Sequence, residues 1–316
     1  MRTLSDSIID TLAFFAIFDF PLTSTEVFDR LWEPPAGVGP LDVTKELEHL
    51  VVNKVIVGGG GYFALDSING ALERRRGAHW LVAHKLRRAR RALRYAAWVP
   101  FMRAVFICNT VAFGWPRAES DIDVFVVVRR DRLWLTRLFL TAAIGLSGYR
   151  RHGARVADQV CLSFYITDNA LDLSAVRLDA DDVLLTYWSL FLHPLYDPEN
   201  VAIEVRHANS WAATRIPHAP LDIKLHPTVP QYHVSLWFKK LIEKIFFYRI
   251  GNYLNAWAGG LQKQKMRGNT HSVQRLPDSR VVISDTMLKF HENDRRNLYR
   301  DQWNAKRFEA KSRLTV

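Results

Sequence analysis

Residues 120–128 read Ser-Asp-Ile-Asp-Val-Phe-Val-Val-Val, so two carboxylates stand one residue apart at the head of a run that reads as a buried strand. Side chains at i and i+2 of a strand point to the same face, so Asp121 and Asp123 reach into one space. A buried carboxylate is costly unless it is paired, hydrogen-bonded or bound to a metal. Whatever this chain folds into must therefore bring a cation or cationic groups to that end of the strand.

The rest of the sequence limits how this can happen. The 316 residues leave room for two or three compact units, and 48% hydrophobic with 24% charged residues is ordinary for a folded domain protein. No repeat of fixed period is visible. The two cysteines, Cys108 and Cys161, make neither a disulfide framework nor a zinc site, which points to a reducing, cytoplasmic setting. The apolar N-terminal stretch carries Asp6, Asp10 and Asp19 and lacks a small-residue cleavage site, so it reads as a core helix and not as a signal peptide. No run approaches the roughly 20 apolar residues of a membrane span, and no membrane partner is expected.

Hydrophobic periodicity divides the chain into four parts. Residues 1–68 contain three helical patterns and a glycine-turned hairpin, "KVIVGGGGYFAL". Leu4, Ile8, Ile9, Leu12 and Phe15 mark the first helix. Thr23 with Glu26 has the spacing of a capping box for the second, and Leu41, Leu47, Leu50 and Val51 mark the inner face of the third. Residues 69–100 form a long basic helix ended by Pro100, and residues 101–180 alternate strand and helix in the manner of an α/β core. Residues 181–316 read as a helical, basic region, with one helix over 181–196 and another over 232–264.

The first part resembles a winged helix-turn-helix domain. Its third helix holds more acids than lysines, so a packing or protein-contact role is expected for it ahead of DNA reading. The third part carries a more specific pattern: Asn109-Thr-x-Ala-x-Gly114, five residues, then Ser120-Asp-Ile-Asp and the apolar strand. It resembles the nucleotidyltransferase (polymerase-beta-like) superfamily, whose usual signature is Gly-Ser-x-Ala-x-Gly, a short spacer and Ser-Asp-x-Asp. The expected fold class is α+β multidomain: a winged-helix N-terminal domain, a nucleotidyltransferase core with a small mixed sheet, and a helical C-terminal region.

The resemblance implies Asp121 and Asp123 as catalytic metal ligands for Mg2+ (or Mn2+), and Asn109, Thr110, Gly114 and Ser120 as a nucleotide-binding loop. Asparagine stands where the family has glycine, and it tolerates the unusual backbone such a loop needs. Active members commonly carry a third carboxylate on a neighbouring strand. The matching strand here, "DQVCLSFYIT", offers only Asp158, at its entrance, as the third catalytic residue. Arg132 and Arg137 are expected near the mouth of the site as phosphate contacts. Asp285, Lys289, His291, Asp294, Arg295 and Arg296 crowd one short segment and suggest an acceptor or phosphate contact.

The net charge of +11 is unevenly placed. Nine Lys/Arg and no acid lie in residues 74–94, and 13 Lys/Arg against six Asp/Glu lie in residues 263–313. Such clusters attract RNA or DNA by counterion release. The expected function is metal-dependent transfer of a nucleoside monophosphate from an NTP to a hydroxyl or phosphate acceptor, with a nucleic acid end as the acceptor to test first. The alternative is a catalytically degenerate protein of the same fold, acting as a nucleic-acid-binding regulator or as a toxin–antitoxin type module with a protein partner.

Overall fold

A computed structural model of the chain describes residues 2–68, 70–178, 181–220, 228–229, 233–246, 248–268, 272–274, 276 and 278–314. Thr3 opens α1 (Leu4–Ala16) with a reciprocal cap: its hydroxyl accepts from the Asp6 N–H while the Asp6 carboxylate accepts from the Thr3 N–H. The same device, Thr23 with Glu26, joins β1 (Leu22–Thr23) to α2 (Ser24–Asp29), as the sequence spacing predicts. α3 (Pro40–Val52) buries Leu47 and Leu50, but Leu41, expected inward, is exposed in the first turn. β2 (Val57–Gly59) and β3 (Tyr62–Ala64) turn through Gly60 and Gly61, both at positive φ, and pair with β1 in an antiparallel sheet of order β1-β3-β2.

The long α4 (Ala71–Ala96) leads into β4 (Met102–Ile107), the short α5 (Asn109–Phe113), β5 (Ile122–Val128), α6 (Leu133–Leu146) and β6 (Val160–Thr167). The remainder is α7 (Val183–Leu190), β7 (His193–Tyr196), α8 (Val201–Ala208), α9 (Ser210–Arg215), α10 (His233–Ile245), α11 (Arg249–Arg267), β8 (Val281–Ile283), β9 (Met287–Phe290) and α12 (Arg296–Ser312). Six of these strands form one mixed sheet of order β7-β4-β5-β6-β9-β8, in which only β5 and β6 run parallel.

The sheet corrects the sequence reading of the C-terminal region, which supplies three of its strands. Residues 181–196 do not form one helix. The helix stops at Leu190, and His193–Tyr196 pairs with the edge of β4, where Pro194 is tolerated because an edge strand can spare an N–H. Residues 232–264 likewise divide into α10 and α11.

Alternation along the strands sorts the core into two layers. Phe106, Phe125, Val127 and Phe164 face the N-terminal helices and α7, while Val105, Ile107, Val124, Val126 and Tyr165 face α4 and α6. α12 closes the first layer by docking on α1. The Trp303 indole donates to the Asp10 carbonyl at 2.7 Å, and Lys311 reaches the buried Asp10 carboxylate at 2.8 Å. Much of the basic tail is used in this way: Lys306 pairs with Asp66, Lys311 also approaches Asp6, and Arg313 pairs with Glu309. Arg275 of that tail lies outside the described residues.

Candidate metal and nucleotide site

Asp121 ends the loop before β5 and Asp123 is the second residue of the strand, so both carboxylates face the aromatic layer. Their oxygens and the Cys161 sulfur lie within 4.8 Å of one another, all half-buried. Cys161 is brought there by the parallel pairing of β6, in which it sits opposite Asp123. The next pair in register is Phe125 with Phe164, three residues along β6 against two along β5. This bulge turns Ser163 and Phe164 as well as Cys161 toward the same cavity, in keeping with the tendency of bulges to re-aim side chains beside sites.

Two polar groups hold the aspartates. The Arg151 guanidinium donates to Asp121 at 2.7 Å, and it is itself 47% exposed, so it covers the carboxylate without burying it. The Asn109 amide donates to Asp123 at 2.8 Å and accepts from the Trp188 indole N–H at 2.9 Å. Asn109 has φ +53°, a left-handed value that asparagine reaches more readily than most residues, so the backbone turns here without a glycine. Its side chain supports Asp123, and the loop beyond it is the short helix α5.

Burial, and then the Asp121 charge beside it, pushes the Asp123 carboxyl up to about 6, against the pull of the Asn109 hydrogen bond. Burial and the two carboxylates push the Cys161 thiol up to about 12, so it stays protonated. A divalent cation would reverse the first effect, because it compensates both carboxylates at once. Asp121, Asp123 and Cys161 form a group that could hold a metal ion, and carboxylate oxygens are the donors that hard divalent cations take.

The cluster opens into a cavity of about 660 Å³, within the usual size of a small-molecule site. Thr110 from α5, Trp115 just after it, Phe18 from the N-terminal part, Trp188 from α7 and the segment before α12 form its walls. Of the C-terminal residues singled out in the sequence, Lys289, His291, Asp294, Arg295 and Arg296 line it. Lys289 and Arg296 are already compensated. Lys289 donates to Asp294 at 2.9 Å, and Arg296 donates to Asp294 and to the buried Asp182 at 2.7 Å. Burial and the nearby Lys289 charge push His291 down to about 4, so its ring is neutral at pH 7. Arg295 is exposed and makes no ion pair with the described residues. Asp285 lies elsewhere, bonded to the Trp134 indole and to Lys263.

Other expected residues do not line the cavity. Asp158 accepts from the buried Lys85 at 2.7 Å and from His84 at 3.1 Å, and its backbone N–H donates to the Ser120 carbonyl. Lys85 also donates to the Ser120 carbonyl at 2.7 Å, so the pair braces the turn that leads into Asp121. Ser120 turns its hydroxyl to the Arg117 carbonyl, and Gly114, at φ +94°, caps α5 under Phe20. Arg132 and Arg137 lie across the sheet, where α6 packs. Arg132 donates to Asn252 at 2.6 Å, while Arg137 bonds Gln262 and stands over the Tyr165 and Phe290 rings. Sequence reasoning missed Arg151 and Trp188 as parts of the site, and no local pattern marks either one. Comparison with protein-family models, curated proteins and solved structures finds no match to this chain.

Proposed function

We propose that the chain is a metal-dependent nucleotidyltransferase that moves a nucleoside monophosphate from an NTP to a hydroxyl or phosphate acceptor. The observation that carries this reading is the convergence of Asp121 and Asp123 on one side of β5, at the floor of a cavity also lined by Thr110. Asp121 and Asp123 would hold Mg2+ or Mn2+. When bound, the cation supplies positive charge to the triphosphate and polarises the phosphoryl group under attack. Asn109, fixed by Trp188, orients Asp123, and Arg151 orients Asp121. Arg295 is the cation left to meet phosphate, and the aromatic walls limit water around the reacting groups. In this reading the N-terminal unit is a winged-helix domain that walls the site.

The acceptor side of the proposal rests on α4. Arg76, Trp80, Arg87, Arg91 and Arg94 recur at helical spacing and are all exposed, a basic stripe with an aromatic in it that suits an RNA strand. One observation favours the degenerate alternative: the residue opposite Asp123 is the protonated Cys161 and not a third carboxylate.

Calorimetry and transfer of labelled nucleotide decide between them. Mg2+ or Mn2+ should bind the wild type and not the Asp121→Asn or Asp123→Asn proteins, and nucleotide without a cation should not bind. Label transferred to RNA supports the enzyme. Metal-dependent nucleotide binding with no transfer to any acceptor supports the degenerate reading, and loss of metal binding in neither variant removes both.

A further inference from the structure

α10 and α11 are amphipathic in the inverted sense. α10 is fixed to the core by polar groups: Lys239 donates to the Met102 carbonyl at 2.7 Å and to the Tyr196 hydroxyl at 3.0 Å, and Glu243 accepts from the Phe101 N–H at 2.6 Å. The side of the helix opposite this pair carries Trp237, Leu241, Ile245 and, past its end, Tyr248, which are 62%, 39%, 52% and 73% exposed. α11 packs on α6 through small and amide residues. Gly259 lies against the Trp134 ring, Asn255 accepts from the Leu135 N–H, and Gln262 donates to the Trp134 carbonyl. Its opposite stripe, Ile250, Tyr253, Trp257 and Leu261, is likewise about half or more exposed.

A water-facing helix normally places such residues inward. Eight large apolar side chains, seven on two consecutive helices and Tyr248 just before the second, exceed the scattered exposure of an ordinary surface. The charges around them name the occupant. Glu243 is the only acid in residues 233–268, and its carboxylate is engaged with the core, whereas Lys240, Lys244, Arg249, Lys265 and Arg267 are exposed. A second copy of this face would oppose cation with cation. A nucleic acid would stack on the aromatics but leave Leu241, Ile245, Ile250 and Leu261 without a partner. An anionic lipid surface satisfies both sets: aliphatic and aromatic side chains enter the headgroup–acyl boundary, Trp and Tyr suit that depth, and Lys and Arg meet the phosphates.

We propose that α10 and α11 form a peripheral membrane-binding face specific for anionic bilayers. This goes beyond the sequence reading, which weighed only membrane-spanning segments. Among the described residues no helix is long and apolar enough to cross a membrane, and interfacial binding needs none. The face is separate from the Asp121–Asp123 cavity, which opens on the other layer of the sheet.

Cosedimentation of the full chain with phosphatidylcholine vesicles, with and without phosphatidylserine, tests the proposal. The wild type should pellet with the mixed vesicles, weaken as salt is raised, and stay largely in solution with phosphatidylcholine alone. Trp237→Ser with Trp257→Ser should lower vesicle affinity by about tenfold or more, because both rings leave the bilayer boundary. Lys240→Glu with Lys244→Glu should remove the preference for phosphatidylserine. Circular dichroism and cation binding should be unchanged in both, which keeps this outcome independent of the proposed catalytic function. Failure of the wild type to pellet with mixed vesicles overturns the proposal. So does a dimer by light scattering that the tryptophan variant dissolves, because the face would then be a protein interface.

Discussion

Asp123→Asn should stabilise the metal-free protein while abolishing its metal binding. The Asp123 carboxyl titrates near 6 in the fold against an ordinary 3.8, because it is buried beside Asp121. Keeping it ionised at neutral pH therefore costs the folded state roughly 3 kcal/mol, at about 1.36 kcal/mol per pH unit. The folded state binds more protons than the unfolded chain between those two values, so wild-type stability falls as pH rises through about 4 to 6 and stays low above it. The amide removes that cost, because it carries no charge and its oxygen can still accept from Asn109. For a 316-residue chain the gain corresponds to a rise of roughly 4 °C in melting temperature. Calorimetric melting in EDTA across pH 4 to 8 reads the effect: the variant should gain on the wild type at pH 7 and above and converge with it near pH 4. Saturating Mg2+ or Mn2+ should reverse the order, because the cation stabilises only the protein that binds it. A variant less stable than the wild type at pH 7 in EDTA, or a difference independent of pH, would refute the reasoning.

Two further substitutions separate support from chemistry. Asp158→Asn leaves the buried Lys85 ammonium without its charge partner, so it should cost roughly 1–3 kcal/mol in urea unfolding while metal affinity changes little; loss of cation binding with stability intact would place Asp158 in the site after all. Arg296→Met strands the buried Asp182 and Asp294 carboxylates and should cost about 3–5 kcal/mol by the same measurement, whereas a cost below about 1 kcal/mol would mean that water reaches the pair.

The parts of the fold that were legible in the sequence are those set by local chemistry. The Thr23–Glu26 cap, the glycine turn after β2, and the common face of Asp121 and Asp123 follow from spacing alone, and each stands in the structure. The parts that were not legible depend on contacts between distant segments. Residues 193–196 look helical because they continue an apolar run, and only pairing with β4 makes them a strand. Arg132 and Arg137 sit close in sequence to the Asp pair, but α6 turns onto the opposite layer and carries them away from it. Arg151 reaches Asp121 because the loop after α6 returns past the strand end, and Asp158 is withdrawn by Lys85 from a helix 73 residues earlier.

The charges around the cavity give the proposed function its order of events. Lys289, Arg296, Asp294 and Asp182 neutralise one another and are fixed by short hydrogen bonds. His291 and Cys161 are neutral at pH 7, the first by burial beside Lys289 and the second by burial beside the carboxylates. What remains is Asp121, Asp123 and Glu292, which accepts from the Ser272 hydroxyl, on one side and Arg151 and Arg295 on the other, with Arg151 already spent on Asp121. A bare triphosphate entering this space would meet Asp121, Asp123 and Glu292 against one unengaged arginine, which is net repulsion in a partly water-excluded site. Once a cation joins the carboxylates, their charge is cancelled, the Asp123 carboxyl no longer competes for a proton, and the same space attracts phosphate. The arrangement therefore favours entry of nucleotide with its cation. Asn109, held by Trp188, supports Asp123 at a position where burial pushes its carboxyl up to about 6.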